Sequence, residues 1–409
     1  MPAPAAFVVP SLAAALVAML AFAGGRMREA HLLNQLMADG VPLLDPSTPD
    51  GRQELLLAAT RLGVFRVRQP ASVNGSAVLN AARAFFSQPD DVKRSARSTS
   101  GASGGFERGY IPLAGESGLR HFVELKEGFC YGREGGVIRA DAATKNATQD
   151  DTCESLLIKP NAWPVAPADM PSSAVGDSWR HVILSFLEDC ITLTDTLAAQ
   201  LFRAVDKDPR AIAELARGGE DISLMRLFHY FRPTVAPDLA PGLPRTGSSP
   251  HTDWHLLTII LQDTTGGLQI RRPEPPYDWI DVPAKEGELI VIIGDYLSAL
   301  SDGRFISPVH RVLLPTSEAP PDDERFSFTY FRYPHCAATV PSASASHAER
   351  RARRRAKEMK RHLGSGSAEA FNTLVRPAPD GDGVGTLASN PFGQLLLDKW
   401  RGVASNKQL

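Results

Sequence analysis

His251-Thr252-Asp253-Trp254-His255-Leu256-Leu257-Thr258-Ile259-Ile260-Leu261-Gln262-Asp263 sets two candidate metal ligands in front of an apolar, β-branched run. The run Leu256–Leu261 predicts a buried strand. Residues two apart share one face of a strand, so His251 and Asp253 are expected to reach a single ion from one strand end. His310 stands 57 positions beyond Asp253, enough chain to go round a β-sandwich and return on a neighbouring strand. Two imidazoles and one carboxylate are the ligand set of the facial triad that holds non-haem Fe(II) and leaves positions open. By itself a His-x-Asp pair reads as a surface turn, and His310 as a core histidine. The decision rests on what surrounds them.

Outward from this stretch, short runs rich in Val, Ile, Thr, Tyr and Phe alternate with Gly and Pro. They are Ser223–Tyr230, Gly267–Ile270, Trp279–Asp281, Leu289–Ile293, His310–Leu313 and Ser327–Phe331. Many short strands with turn signals predict a sandwich or jelly roll. Ahead of them, Ile183, Leu187, Cys190, Thr194, Leu197 and Leu201 recur at three- and four-residue steps, predicting one long helix over Ser178–Phe202. The N-terminal half predicts strands at Val41–Asp45 and Gly63–Val67 and helices at Met27–Met37, Gln53–Leu62 and Ala77–Phe86, with loops at Ser98–Gly105 and Val137–Pro171. The tail returns to helix from His347, passes a Gly/Pro/Asp loop at Pro377–Gly385 and ends in an apolar helix near Phe392–Trp400. The fold class expected is mainly β with flanking helices around a double-stranded β-helix, that is, a jelly roll. Its segments are an apolar leader at 1–25, an N-terminal region at 38–175, a catalytic domain at 176–340 and a helical tail at 341–409.

Composition is that of an ordinary globular protein, 43% hydrophobic and 22% charged over 409 residues, with formal net charge -2. No global field points to nucleic acid or a membrane surface. The basic run Arg350–Arg361, diluted by Glu358 and by Glu349 just before it, reads as a solvated helix face. Cys130, Cys153, Cys190 and Cys336 form neither a zinc pattern nor a dense disulfide framework, and no bridge is indicated. The stretch Ala5–Gly25 has no charged residue. It reads as a signal peptide or signal anchor, ranked ahead of a buried or disordered extension. A membrane enters only through such an anchor. Localisation stays open between a cytoplasmic catalytic domain and a secretory or anchored one. Sequons fall at Asn74-Gly75-Ser76 and Asn146-Ala147-Thr148.

The full succession is specific. His251-Thr252-Asp253 is followed by Gly266-Gly267-Leu268-Gln269-Ile270, Trp279, Gly294-Asp295-Tyr296-Leu297, Ser301-Asp302-Gly303, Ser307-Pro308-Val309-His310-Arg311-Val312 and Arg325-Phe326-Ser327-Phe328-Thr329-Tyr330-Phe331. In this order, over roughly 221–334, it resembles the 2-oxoglutarate- and Fe(II)-dependent oxygenases, in particular the isopenicillin N synthase-like branch. Val41–Asp45, Gly63–Val67, Arg108–Tyr110 and Glu124–Gly128 are a looser match to that family's N-terminal region.

The resemblance implies that His251, Asp253 and His310 ligate Fe(II). It implies that Arg325 and Ser327 hold the distal carboxylate of 2-oxoglutarate, with Tyr230 donating a further hydrogen bond; the other reading of Tyr230 is an aromatic core residue. It also implies a reaction with O2 in which 2-oxoglutarate is decarboxylated to succinate and CO2 while a small organic substrate is hydroxylated, desaturated or cyclised. Relatives that halogenate lack the carboxylate at the Asp253 position, so its presence argues for oxygen chemistry. Two alternatives stay open: an Fe(II)/O2 oxidase of the same fold that does not use 2-oxoglutarate, and a non-catalytic jelly-roll binding protein. Three departures stand out. Phe228 occupies a position often held by Asn, His255 one that is commonly small, and Arg68-Gln69 one that is usually Asn-His.

Overall fold

The computed structural model describes residues 40–97, 108–113, 115, 122–134, 153, 157–165, 177–235, 238–239, 241–315, 324–363, 388 and 390–405. The leader, the Met27–Met37 helix, the Ser98–Gly105 loop, the Asn146 sequon and the Pro377–Gly385 loop lie outside the described residues. The strands are β1 (Leu43–Leu44), β2 (Val64–Arg68), β3 (Gly109–Ile111), β4 (Val123–Glu124), β5 (Lys126–Tyr131), β6 (Leu224–Tyr230), β7 (Arg245–Thr246), β8 (Ser248–His251), β9 (Leu257–Gln262), β10 (Leu268–Arg271), β11 (Trp279–Asp281), β12 (Glu288–Ile293), β13 (His310–Val312) and β14 (Arg325–Arg332). The helices are α1 (Pro49–Arg61), α2 (Gly75–Phe86), α3 (Asp90–Ser95), α4 (Asp177–Ala204), α5 (Pro209–Ala216), α6 (Gly219–Ile222), α7 (Asp295–Leu300), α8 (Ser342–Leu363) and α9 (Phe392–Ser405).

An eight-stranded sheet in the order β1-β2-β12-β9-β14-β6-β5-β3 faces a four-stranded sheet in the order β11-β10-β13-β8, with β4 and β7 forming a separate pair. Strands from the N-terminal region and from the jelly roll thus share one sheet. Side-chain alternation gives that sheet two different faces. Phe326, Phe328 and Tyr330 of β14 join Leu257, Ile259 and Leu261 of β9 in the larger core, which also takes in Ile183, Phe186 and Leu187 of α4. Phe186 meets Phe328 edge-on with centroids 5.7 Å apart. On the opposite face, Phe228, Tyr230, Ile260 and Ile290 pack with Leu268, Ile270 and Val312 of the small sheet. This second, smaller cluster is the apolar half of the jelly-roll interior, and the other half is polar.

Helix α4 runs 28 residues, about 42 Å at 1.5 Å per residue. Its buried stripe Ile183, Phe186, Leu187, Cys190, Ile191, Thr194 and Leu197 follows the expected spacing. Buried Thr194 satisfies its hydroxyl on the Cys190 carbonyl at 2.8 Å, so a polar residue costs little inside this stripe. Helix α2 starts slightly earlier than its periodicity suggests because Asn74 caps it, its Oδ1 accepting from the Ala77 N–H at 3.0 Å. The side chain of that sequon is therefore engaged in the fold. Helices α5 and α7 were not foreseen: each is under nine residues, too short for a periodicity to declare itself.

One covalent link was not indicated by the sequence. Cys153 and Cys336 form a disulfide across 183 residues, with Cα atoms 6.0 Å apart. Partners so distant in sequence leave no spacing signature. Cys130 and Cys190 are free and buried. Among the described residues, no helix is long and apolar enough to cross a membrane.

Candidate metal centre and co-substrate site

The small sheet brings the two histidines together. Strand β13 pairs antiparallel with β8, and His310 sits directly opposite His251, with ring centroids 4.2 Å apart. Asp253 arrives differently from the expectation of shared strand alternation. Strand β8 ends at His251, and Thr252–Trp254 leave it as irregular chain. That chain is clamped from α7: the Asp295 N–H donates to the Asp253 carbonyl at 2.7 Å, and the Thr252 hydroxyl donates to Asp295 Oδ2 at 3.0 Å. Gly294 makes this possible, because a Cβ there would lie 1.9 Å from the His255 carbonyl oxygen.

The outcome is a convergence of three ligand atoms, all within 4.8 Å of one another. Asp253 Oδ1 is 3.7 Å from the Nε2 of both His251 and His310. The other atom of each group is engaged. A carbonyl can only accept, so His251 Nδ1–H donates to Ser249 O at 2.7 Å and His310 Nδ1–H donates to Pro308 O at 3.2 Å. Both rings are thereby held as the tautomer whose Nε2 carries a free lone pair. Asp253 Oδ2 accepts from the Thr258 hydroxyl, leaving Oδ1 for the centre. The donor set, its tautomers and its spacing fit a divalent transition metal. The His251 side chain is 32% exposed while those of Asp253 and His310 are about 5% exposed, so the centre has one open flank.

Electrostatics favour the ligating forms. Burial works against an Asp253 carboxylate, but the His310, His255 and His251 imidazoles around it outweigh that and lower its pKa. Burial, reinforced by His251, pulls His310 down to about 4, which keeps the ring neutral at physiological pH. His255 is likewise pulled to about 4 by burial. It lies 4.0 Å from Asp253 Oδ1 and packs on Phe331 and Tyr333 at 5.1 and 5.6 Å.

Further along the jelly-roll interior, β14 presents Arg325 and Ser327 on the face opposite its aromatic core residues. Arg325 is only 1% exposed. Its Nη2 donates to Gln262 Oε1 at 2.8 Å, its Nε to the Gly266 carbonyl at 2.5 Å and its Nη1 to Ser327 Oγ at 3.5 Å. Tyr230, its register partner on β6, lies under the guanidinium with 4.4 Å between Cζ and ring centroid. Among the described residues, no carboxylate pairs with Arg325. A buried cation held only by neutral groups is set up to receive an anion. At the departure Phe228, Lys126 Nζ stands 4.8 Å over the ring, so an aromatic face replaces an amide there.

Gln262, Thr258 and Asp295 were not singled out from the sequence. All three stand in quoted stretches, but their roles come from cross-strand register and chain reversal, which only the fold supplies. His229 and His335 lie outside the metal cluster; His229 is buried between Glu127 and Glu324.

Jelly-roll topology, an open His/Asp/His cluster and a buried arginine held by neutral groups define the class: a non-haem iron oxygenase of the kind that takes a keto-acid co-substrate. Residues 222–334 match the family pattern of the 2OG-Fe(II) oxygenase superfamily. The 2-oxoglutarate-dependent dioxygenase citB of Monascus ruber is 31% identical over 280 residues, 66% of this chain and 77% of that protein. A 2-oxoglutarate-dependent dioxygenase of Didymella fabae is 28% identical over 296 residues, 71% of this chain and 82% of that one. Among solved structures, a full-length Neurospora crassa protein in complex with alpha-KG superposes with a TM-score of 0.57 at 21% identity, over 74% of this chain and 87% of that chain. A 2OG-Fe(II) oxygenase family protein from Caulobacter crescentus gives 0.52 at 22% identity, over 71% and 83%. The chain belongs to the 2-oxoglutarate/Fe(II) oxygenase superfamily, and it is an oxidoreductase that uses Fe(II), 2-oxoglutarate and O2.

Proposed function

We propose that His251, Asp253 and His310 hold the ferrous ion, that Arg325 with Ser327 and Tyr230 holds the distal carboxylate of 2-oxoglutarate, and that the enzyme hydroxylates a small organic substrate. The observation that carries this reading is the division of labour within each ligand: one atom tied to the protein, the other free and facing a common centre. Charge balance supports it. A divalent ion with one carboxylate and two neutral imidazoles keeps one positive charge, and Arg325 supplies a second. 2-Oxoglutarate carries two negative charges, one at each end, and neutralises both. When bound, the ferrous ion supplies the redox chemistry that couples dioxygen reduction to decarboxylation of the keto acid and oxidation of a C–H bond.

The protein's own part is placement. Ser249 and Pro308 carbonyls fix the imidazole planes, and Thr258 fixes the carboxylate. Burial of Asp253 and His310 keeps bulk water off two sides of the centre, so the co-substrate and the organic substrate approach the open flank.

The test is anaerobic titration of the metal-free protein with Fe(II) and 2-oxoglutarate. A visible metal-to-ligand charge-transfer band should grow in with both present and with neither alone. His251→Ala should abolish the band together with tight iron binding. No band in the parent protein, or full iron affinity in the variant, overturns the assignment. Turnover without succinate would transfer the protein to the oxidases that dispense with 2-oxoglutarate.

A further inference from the structure

A second buried arginine lies on the metal side of the same interior. Arg108 precedes β3 and is 2% exposed. Its Nη2 donates to the Leu157 carbonyl at 2.9 Å, while its Nε and Nη1 have no hydrogen-bond partner among the described residues. Burial lowers its pKa, and no carboxylate among the described residues offsets that: the ionisable groups in range are Cys130, Tyr333 and a like charge, Arg226. An arginine stays protonated in a protein, so among the described residues this is a charge without a counter-charge.

Cys130 and Arg226, two of the groups in range of the guanidinium, are register partners on β5 and β6. On β5, Gly128 and Cys130 stand opposite Phe228 and Arg226, and Gly132 follows the last residue of the strand. A Cβ on Gly132 would fall 2.0 Å from Arg108 Nη1, so the arginine lies across the bare glycine. Tyr333, in electrostatic range of Arg108 and Arg226, is also in range of Asp253, which links this corner to the metal centre. Phe331 forms the floor between them. It stands opposite Thr258 on β9 and has Arg226 on one side, with 5.7 Å from Cζ to its ring, and His255 on the other. Phe331 is partly exposed although β14 is a central strand, so the space above it is open. From β5 across β6 and β14 to β9 is three strand spacings, on the order of 14 Å. An extended medium-chain organic acid covers most of that span.

We propose that Arg108 anchors a carboxylate of the organic substrate, holding the far end of the molecule while its reacting carbon lies over Phe331 toward Asp253. The substrate class is therefore a small, largely apolar organic acid. This rests on the oxygenase reading for the position of the reacting centre. It is independent of the Arg325 site, because that cation is taken by the co-substrate. A guanidinium and a carboxylate make charge-assisted hydrogen bonds, and the ordering of one end fixes which C–H reaches the metal.

The experiment uses the full chain loaded anaerobically with Fe(II) and saturating 2-oxoglutarate, so that Arg325 is occupied. The probes are benzoate, phenylacetate, 1-naphthoate and decanoate, each paired with its primary amide. Binding is read by tryptophan fluorescence and by a shift of the charge-transfer band. At least one acid should bind, with its amide about tenfold weaker or more, as loss of a charged hydrogen bond implies. Arg108→Gln should weaken that acid by about tenfold or more, leave the amide unchanged and keep the band, and Arg108→Lys should recover part of the loss. Gly132→Ala, which keeps the charge and displaces the guanidinium, should mimic Arg108→Gln and serves if that variant does not fold. Equal binding of acid and amide, unchanged acid affinity in both variants, or no bound acid in the panel overturns the proposal. Absence of the band in the parent protein sinks the metal-site reading instead, so the two failures are told apart.

Discussion

Arg325 and Asp253 face opposite electrostatic problems in one interior. Asp253 is a buried carboxylate whose pKa is held down against burial by the neighbouring histidines as they take up protons and by one hydroxyl, whereas Arg325 is a buried cation surrounded by an amide, a carbonyl, a hydroxyl and a phenol ring. In the proposed function each is completed by a ligand of opposite sign. Charge-assisted hydrogen bonds contribute about 1.5–3 kcal/mol each. Arg325→Ala should therefore weaken 2-oxoglutarate by about 10- to 100-fold while leaving Fe(II) affinity unchanged, as measured by titration of the visible band at fixed iron; an unchanged requirement for 2-oxoglutarate would contradict its role. Thr258→Val tests the other charge. It keeps the volume at a 0%-exposed position and removes the hydroxyl that holds Asp253 Oδ2. Loss of such a supporting bond typically costs about 10- to 100-fold in metal affinity. Fe(II) binding to the folded variant should fall by that factor, and parent-like affinity would show that the carboxylate orients without Thr258. His251, Asp253 and His310, which the fold brings together, were legible because their residue types are rare in combination and stand among recognisable neighbours. Thr258 and Gln262 were not, since a threonine and a glutamine in a strand acquire these partners only when β9 registers against β14 and the chain turns back at Asp295.

Among the elements, those with a strong period were legible and those defined by tertiary closure were not. The α4 stripe and the β-branched runs of β6, β9, β12 and β14 declare themselves, because burial on one or both faces imposes composition directly. Strands β4, β7 and β8 are two to four residues long and carry no such imprint; they exist because their neighbours pair with them. The disulfide is the extreme case. It ties Cys153 to the segment just after β14, next to the start of α9, where Phe392 packs edge-on against Tyr296 and tilted against Tyr333 at 5.2 and 5.5 Å. Closing a loop this long restricts the unfolded chain strongly in the chain-entropy account, and native bridges typically contribute about 2–4 kcal/mol. Cys336→Ser should lower unfolding stability by about that amount in urea titration, and reduction of the parent protein should reproduce the loss. Identical midpoints for oxidised and reduced protein would show that the α9 contacts alone hold this corner.

Across the whole molecule, the large sheet separates two kinds of polar chemistry. Its inner face carries Arg325, Ser327 and Tyr230, and its outer face carries a charge network closed among its own residues. On the outer face His229 of β6 lies between Glu127 of β5, 2.8 Å from Nδ1, and Glu324 just before β14, 2.7 Å from Nε2. Lys93 of α3 donates to Glu127 at 3.0 Å, and the Tyr110 hydroxyl of β3 donates to the same carboxylate. Phe86, Phe231 and Phe326 pack against the imidazole. Burial alone would lower the His229 pKa, but the two carboxylates outweigh it and raise the value above the ordinary 6.5. Glu127, despite burial, and Glu324, chiefly through His229, are held below the ordinary 4.5. The signs then follow from linkage. A raised histidine stabilises the fold fully below 6.5 and loses that contribution as pH rises through its folded value. The lowered carboxylates stabilise above 4.5 and lose their contribution as pH falls through their folded values. Stability from this network is therefore greatest between these two limits. The urea midpoint of the parent protein should decline as pH rises above 6.5. His229→Gln keeps a polar side chain without a titrating proton, so its midpoint should start lower and stay level over the same range. A parent midpoint that is level there, or a variant that declines in parallel with it, would remove His229 from the account and leave the network as packing alone.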